Sequence, residues 1–419
     1  MKFLKSIFHH SGIPPEYRSN FFHFYMDIGW FGVLSGSSIN FLNVYATRLG
    51  ASGIQIGLLG AMSALVSLVL VIPAGRWLEK RTIGRAVFWT SVFYRIGFLL
   101  FVPLPWLFNA QGQVWALIAL AFMMGAPLAA LSVGFSTLFA EAVPNDWRAH
   151  VAGIRNIVLS VTFMLSSLVS GYLLDRIVFP LNYQIVFLIG FIGAAMSSVH
   201  LFFIRPVREI RSGLAPDGPF PLNQPIARPE RRRTLLRMDV WKTPFRNTLL
   251  SMLAFHFSQY LAIPLFPLYF IHELNLTDEA LGIGTALFYL AMLIGSMQLN
   301  RIVGQLGHKK VTAWGLIGMA LYPGLLAVSN SVWHYYVISL IGGFAWALVG
   351  GASLNYLLES CPENDRPAHL AWYNVILNIC VLVGSLAGPA IAGLIGLSAA
   401  LLIFGGLRVV AGISILKWG

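Results

Sequence analysis

The stretch Glu141 to Asn156, E-A-V-P-N-D-W-R-A-H-V-A-G-I-R-N, returns 218 residues later as Glu359 to Asn374, E-S-C-P-E-N-D-R-P-A-H-L-A-W-Y-N. Glu141 matches Glu359, Pro144 matches Pro362, Arg148 matches Arg366 and Asn156 matches Asn374. Each copy is a short polar loop between two long apolar segments. Such a repeat, at about half the chain length, restricts the fold to one helical bundle built twice.

The flanking segments say what kind of bundle. The 419 residues are 57% hydrophobic and 11% charged, against about 25% charged in a soluble domain. That surface has too few charges for water. Many apolar runs exceed the roughly 18–20 residues that cross a bilayer. Twelve spans are expected, at 20–46, 53–78, 84–104, 112–141, 148–176, 183–204, 246–271, 278–301, 309–328, 332–359, 367–395 and 397–416. The first has no cleavage site after it and reads as a retained span.

The net charge of +12 is explained by its distribution rather than by nucleic acid. Alternate loops place all but five of the 28 Lys and Arg on one side, including Lys2, Lys5, Arg18 and the 76–85 loop. The opposite side carries Arg48 and Arg176, and Arg95, Arg155 and Arg408 fall within spans. By the positive-inside rule both termini are cytoplasmic, and the expected location is the plasma (inner) membrane. Two cysteines, Cys361 and Cys380, make neither a disulfide framework nor a metal site. No nucleotide loop or nucleophile elbow is present, so neither an enzyme nor a cofactor is expected.

The expected architecture is an all-α polytopic membrane protein with twelve transmembrane helices in two pseudo-symmetric six-helix bundles. Residues 1–205 form the N-terminal bundle, 206–245 a cytoplasmic basic linker and 246–419 the C-terminal bundle. Six prolines between Pro206 and Pro229 exclude a continuous helix from the linker. It is either a solvated connector or a site for anionic lipid headgroups at Arg231, Arg232 and Arg233. The halves correspond elsewhere too. Ser52 and Thr277 are N-caps, with Gln55 completing a capping box and Asp278 and Glu279 at the positive end of a helix dipole. Ser166-x-x-x-Ser170-Gly171 corresponds to Gly384-x-x-x-Gly388-Pro389. Small residues four apart let helices pack closely in lipid.

The loop between spans two and three reads Gly75-Arg76-Trp77-Leu78-Glu79-Lys80-Arg81, then Gly84-Arg85. It resembles the G-x-x-x-D-R-x-G-R-[RK] loop of the major facilitator superfamily, with Glu for Asp, Lys for Arg and two extra residues. Its counterpart carries Arg301, Gly304, Gly307, His308, Lys309 and Lys310 without the acid. The resemblance covers nearly the whole chain and implies a transporter that works by alternating access, two bundles rocking about a midplane site. It also implies a cytoplasmic gate built from Gly75, Glu79, Lys80, Arg85, Glu141, Arg148, Arg301, Glu359 and Arg366. The alternative is that the E-x6-R residues simply end helices. No branch is indicated: the sugar-porter P-E-S-P-R is absent, as is the span-four arginine of drug antiporters. The antiporters' span-five glycine-proline pattern appears here on span eleven, at Gly384, Gly388, Pro389 and Gly393.

Charges inside spans are functional candidates, because placing one in hydrocarbon costs at least about 2.5–3.5 kcal/mol. Asp27 and Arg155 lie at similar depth, with Arg95 deeper. An ion pair of Asp27 with Arg155 or Arg95 would be either a staple or a proton-coupling site. Arg408 and His200 read as span-end residues that snorkel. In the family spans one, four, seven and ten line the cavity, which makes Asn40, Met124, His256, Gln259, Tyr260 and Trp346 the cavity candidates. His256 binds substrate or a proton, or is a packed histidine. Pro264 and Pro267 bend span seven.

The function expected is secondary transport of a small neutral or amphiphilic molecule, coupled to protons or to nothing, in either direction, by a monomer. The rival is a non-transporting membrane sensor or binding protein of the same fold.

Overall fold

The computed structural model describes residues 15–207, 237–362 and 365–419. Lys2, Lys5, Arg231, Arg232 and Arg233 lie outside the described residues, as does most of the linker. The described residues are helical throughout, with no strand among them.

Ten helices are long and apolar enough to cross a membrane, and two corrections make twelve crossings. The first crossing, α1, is a single path of Arg18–Leu34, a π-helical turn Ser35–Ile39 and Asn40–Arg48. The helix Asp278–Leu326 is two crossings merged across Gly307, whose φ of 77° is non-helical; its arms are α8 and α9. The others are α2 (Gly53–Leu78), α3 (Ile83–Leu100), α4 (Ala110–Ala142), α5 (Asn145–Arg176), α6 (Leu181–Phe202), α7 (Phe245–His272), α10 (Val332–Glu359), α11 (Arg366–Ile395) and α12 (Leu397–Trp418).

Local chemistry explains the ends and breaks. Ser52 accepts from the Gln55 amide while the Gln55 side chain caps Ser52, the capping box expected from sequence. Thr277 caps α8 through the Ala280 amide. α7 breaks between Ala262 and Leu265, where Pro264 has no N–H to continue the ladder. The third span is shorter than expected: it ends at Leu100, and a separate short helix covers Leu104–Leu107. The last part of the linker is structured. A 3-10 helix at Met238–Lys242 is followed directly by α7. Arg237 bonds both oxygens of Asp365 at 3.0 and 2.9 Å, and its carbonyl accepts from the Trp372 indole.

Helix pairing is the same in both halves. α1 packs on α5 and α6 as α7 packs on α11 and α12. Between the halves α2 meets α11 and α5 meets α8, which is one contact related by the repeat. The hydrophobic core is divided unevenly. Toward the Arg48 end of the molecule a single cluster runs through both halves, from Leu34, Phe41 and Tyr45 to Leu265, Tyr269 and Phe404. Toward the basic end the two halves have separate clusters. One contains Phe21, Phe24 and Val151, the other Phe245, Met252 and Ile376.

Candidate functional site

Three groups of residues stand out, and the first lies inside the N-terminal bundle. Asp27 on α1 is 3% exposed and faces two guanidiniums. Arg155 Nη1 donates to Asp27 Oδ2 at 3.1 Å and to the Phe24 carbonyl at 2.7 Å. Arg95 Nη2 stands 3.7 Å from Oδ1, and its Nη1 donates to Ser198 at 2.8 Å. Ser197 donates to Oδ1 at 2.5 Å. Arg155 also lies over the rings of Phe24 and Phe135, at 5.3 and 4.8 Å. The carboxylate therefore meets both arginines, where the sequence offered one or the other. The serines on α6 and the carbonyl of Phe24 supply further hydrogen bonds to these buried charges, while the Arg95 Nε has no hydrogen-bond partner.

The C-terminal half carries a neutral counterpart. His256 Nε2 and the Tyr373 hydroxyl are 3.0 Å apart. Tyr373 is the repeat partner of Arg155, so each half joins its first and fifth helices with one polar pair at this level. Tyr260 packs its Cβ over Gly384, and the buried Gln259 Oε1 has no hydrogen-bond partner. Asn40 donates to Ser167 at 3.2 Å, and Trp346 packs against the basic-end cluster of its half. Met124 is 8% exposed, and its thioether covers Gly97 on α3.

Arg408 corrects the sequence reading. It lies midway along α12, is 1% exposed and does not snorkel. Its Nη1 donates to the Met319 carbonyl at 3.1 Å. Pro323, four residues on, has no N–H to offer that carbonyl, so the guanidinium fills the gap. Among the described residues no carboxylate pairs with it.

The second group holds the halves together at the Arg48 end. Arg48 donates to Asp278 Oδ1 at 3.0 Å and to the Leu276 carbonyl at 3.0 Å. Tyr183 donates to Asp278 Oδ2 at 3.1 Å. Asp175 accepts from the backbone amides of Asp278 and Glu279, both at 3.0 Å. Thus three N-terminal side chains grip the start of α8. Below them a Cβ added to Gly171 would stand 2.7 Å from the Asp278 carbonyl, and one added to Gly57 would stand 2.1 Å from the Ser385 carbonyl. Phe163 and Tyr289 stack at 4.0 Å deeper in the same seam. None of this pairing was read from sequence; Arg48 and Asp278 are 230 residues apart, and only the small residues on α5 hinted at a close seam. Replacing Asp278 with Ala should destabilise the protein by roughly 1–3 kcal/mol, because its partners lose a buried acceptor. A thermal melt showing no shift would refute that weight.

The third group is the basic-end motif. Arg148 donates to the carbonyls of Val143 and Ala140, closing the end of α4. Glu359 lies 2.7 Å from His308 Nδ1, and Asn355 lies 3.3 Å from His308 Nε2. These bonds stay within one half. Glu141, Lys80, Arg85 and Arg301 are exposed; Gly75, Arg148 and Arg366 are half-buried. Arg76, Trp77, Glu79, Lys80 and Arg81 line a shallow cavity of about 570 Å³.

A sequence model of the Major Facilitator Superfamily matches residues 24–257 and again 248–418. The chain belongs to the Major Facilitator Superfamily. Together the two matches cover nearly the whole chain. With its apolar helices, membership makes the protein an integral membrane transporter. Two relatives are similar in sequence. The cis,cis-muconate transport protein of Acinetobacter baylyi is 25% identical over 289 residues, 66% of each chain. The quinolone resistance protein NorA of Staphylococcus aureus is 24% identical over 366 residues, 85% of each chain. Solved structures share the fold. A bacterial homologue of the iron transporter ferroportin, in an inward-facing state, aligns over 96% of this chain and 98% of that one, with TM-score 0.71 and 13% identity. A partially occluded inward-open form of the xylose transporter XylE from E. coli aligns over 97% and 98%, with TM-score 0.70 and 16% identity.

Proposed function

We propose that this superfamily member is a secondary transporter that carries a small organic solute through the inner membrane by alternating access. The observation that carries this reading is the one-sided core. One apolar cluster joins the halves at the Arg48 end, while the basic end has two separate clusters. A rigid two-bundle protein closed on one side only is one of the two states that alternating access requires. With the basic face in the cytoplasm, by charge asymmetry, the state is inward-facing. The superfamily-like loop, Glu141/Arg148 and Glu359/Arg366 then close the other side when the bundles rock. Exposed pairs contribute only about 0–1 kcal/mol each, so that latch must act as a network.

The seam at Gly57 and Gly171 favours transport over a static sensor. Small residues here let the helices of the two halves meet backbone to backbone, with no bulky side chain threaded across the seam at those two points. Proton coupling is the further reading, resting on His256 and on the absence of a nucleotide loop. The experiment is flux of radiolabelled organic acids, amides and amines into proteoliposomes, with and without an imposed pH gradient. Gradient-dependent accumulation is expected for one class. Equal leakage of all classes into protein-free and protein-bearing vesicles would leave the sensor reading standing.

A further inference from the structure

The charges buried at mid-membrane do not balance. Asp27, Arg95 and Arg155 lie nine to twelve residues from the basic end of their helices, and Arg408 lies ten from Trp418. At about 1.5 Å per residue this places them near one level, roughly 14–18 Å in. Asp27 is the single carboxylate among them, so the described residues hold a charge of +2 at this level. The first arginine pair shares Asp27. Arg408 has only the carbonyls of Met319 and Gln259, at 3.1 and 3.5 Å. Burying an uncompensated charge is expensive, and such charges normally gain a counter-ion.

We infer that this tier selects an anionic solute, a small organic carboxylate, with Arg155 meeting its carboxylate group. Arg155 fits that role by geometry. Only its Nη1 is engaged with Asp27 and Phe24, and a tenth of its side chain remains exposed, against 4% for Asp27. The flanking residues Gly153 and Asn156 are exposed, so the turn of α5 that carries Arg155 is not fully enclosed by the bundle. A guanidinium edge binds carboxylate in bidentate fashion. Across the repeat axis, the equivalent position offers the neutral Tyr373 hydroxyl and His256, a pole for the uncharged end of the solute. Arg408 is enclosed and acts through its field rather than by contact. The same charge excess repels cationic solutes. The correction of Arg408 from span end to bundle core is what moves the expected substrate from neutral to anionic. This inference rests on the transport reading for its biological sense, but its test does not.

The test is ligand-dependent thermal stabilisation of the purified full chain, using benzoate, sorbate and fumarate, each beside its amide. At least one carboxylate should raise the melting temperature, and its amide should not. Arg155→Gln leaves Asp27 paired with Arg95 and should fold, yet its carboxylate affinity should fall roughly ten- to hundredfold. Arg155→Lys should recover part of that loss. Arg408→Gln should weaken the same affinity by roughly tenfold without contact to the ligand. A purely structural role would shift the melting temperature of the unliganded variants and leave the ligand response intact. Amides that stabilise as well as acids, an unchanged response in Arg155→Gln, or no response to any carboxylate would overturn the inference. Carboxylate binding without flux would instead remove the transport reading and leave this one in place.

Discussion

Asp27→Asn should destabilise the protein by about 3–5 kcal/mol, the loss expected when one partner of a buried ion pair is removed. The variant would leave Arg95 and Arg155 buried side by side with no carboxylate between them. Asn offers one acceptor to two guanidiniums and Ser197, which now share two carboxylate oxygens. The sequence alone allowed a different outcome, in which Asp27→Asn abolishes transport but folds normally. We read Asp27 as the staple, because two guanidiniums and Ser197 converge on its carboxylate. Detergent melts of Asp27→Asn beside the double variant Asp27→Asn/Arg155→Gln decide between them. The single variant should melt far below wild type, and the double variant should recover part of the loss. A single variant as stable as wild type yet inactive would return Asp27 to the coupling role.

Gly57→Val should shift the molecule away from the state described here. The added Cβ would meet the Ser385 carbonyl at 2.1 Å, and a backbone atom cannot swing aside. Overpacking typically costs 1–3 kcal/mol. When that penalty falls on one of two states, the closed Arg48 end loses about five- to 150-fold in population. Spin labels on α2 and α11 at that end should report a longer mean distance, and flux should fall. Unchanged distances would mean that the seam tolerates separation and is not the gate.

Much of this architecture was legible in sequence because it rests on one-dimensional signals. Span length, the doubled E-x6-R stretch and the caps at Ser52 and Thr277 each depend on residues close in the chain. The depth of Asp27 and Arg155 could be counted along their helices. What could not be read depends on helix rotation. α4 and α12 are apolar nearly all round, so no polar face shows which way a residue turns. Met124 therefore looked like a cavity residue and proved to cover Gly97. Arg408 looked like a span-end residue and proved to cap the carbonyl that Pro323 leaves free. The Arg48 and Asp278 pair joins the two halves, a link that no local pattern encodes. The π turn at Ser35–Ile39 has likewise no clear sequence mark beyond a serine-glycine cluster.

Alternation itself is tested most directly by locking the closed seam. A Cβ on Gly60 would lie 3.9 Å from the Ser385 Cβ, within the 3.5–4.5 Å range a disulfide spans. The native cysteines, Cys361 and Cys380, are both free and buried, so Gly60→Cys/Ser385→Cys can be read with little background. Flux would be measured in the same proteoliposomes before oxidation, after it and after reduction. Oxidation should stop transport and reduction should restore it. A fully cross-linked protein that transports at the uncross-linked rate would contradict it.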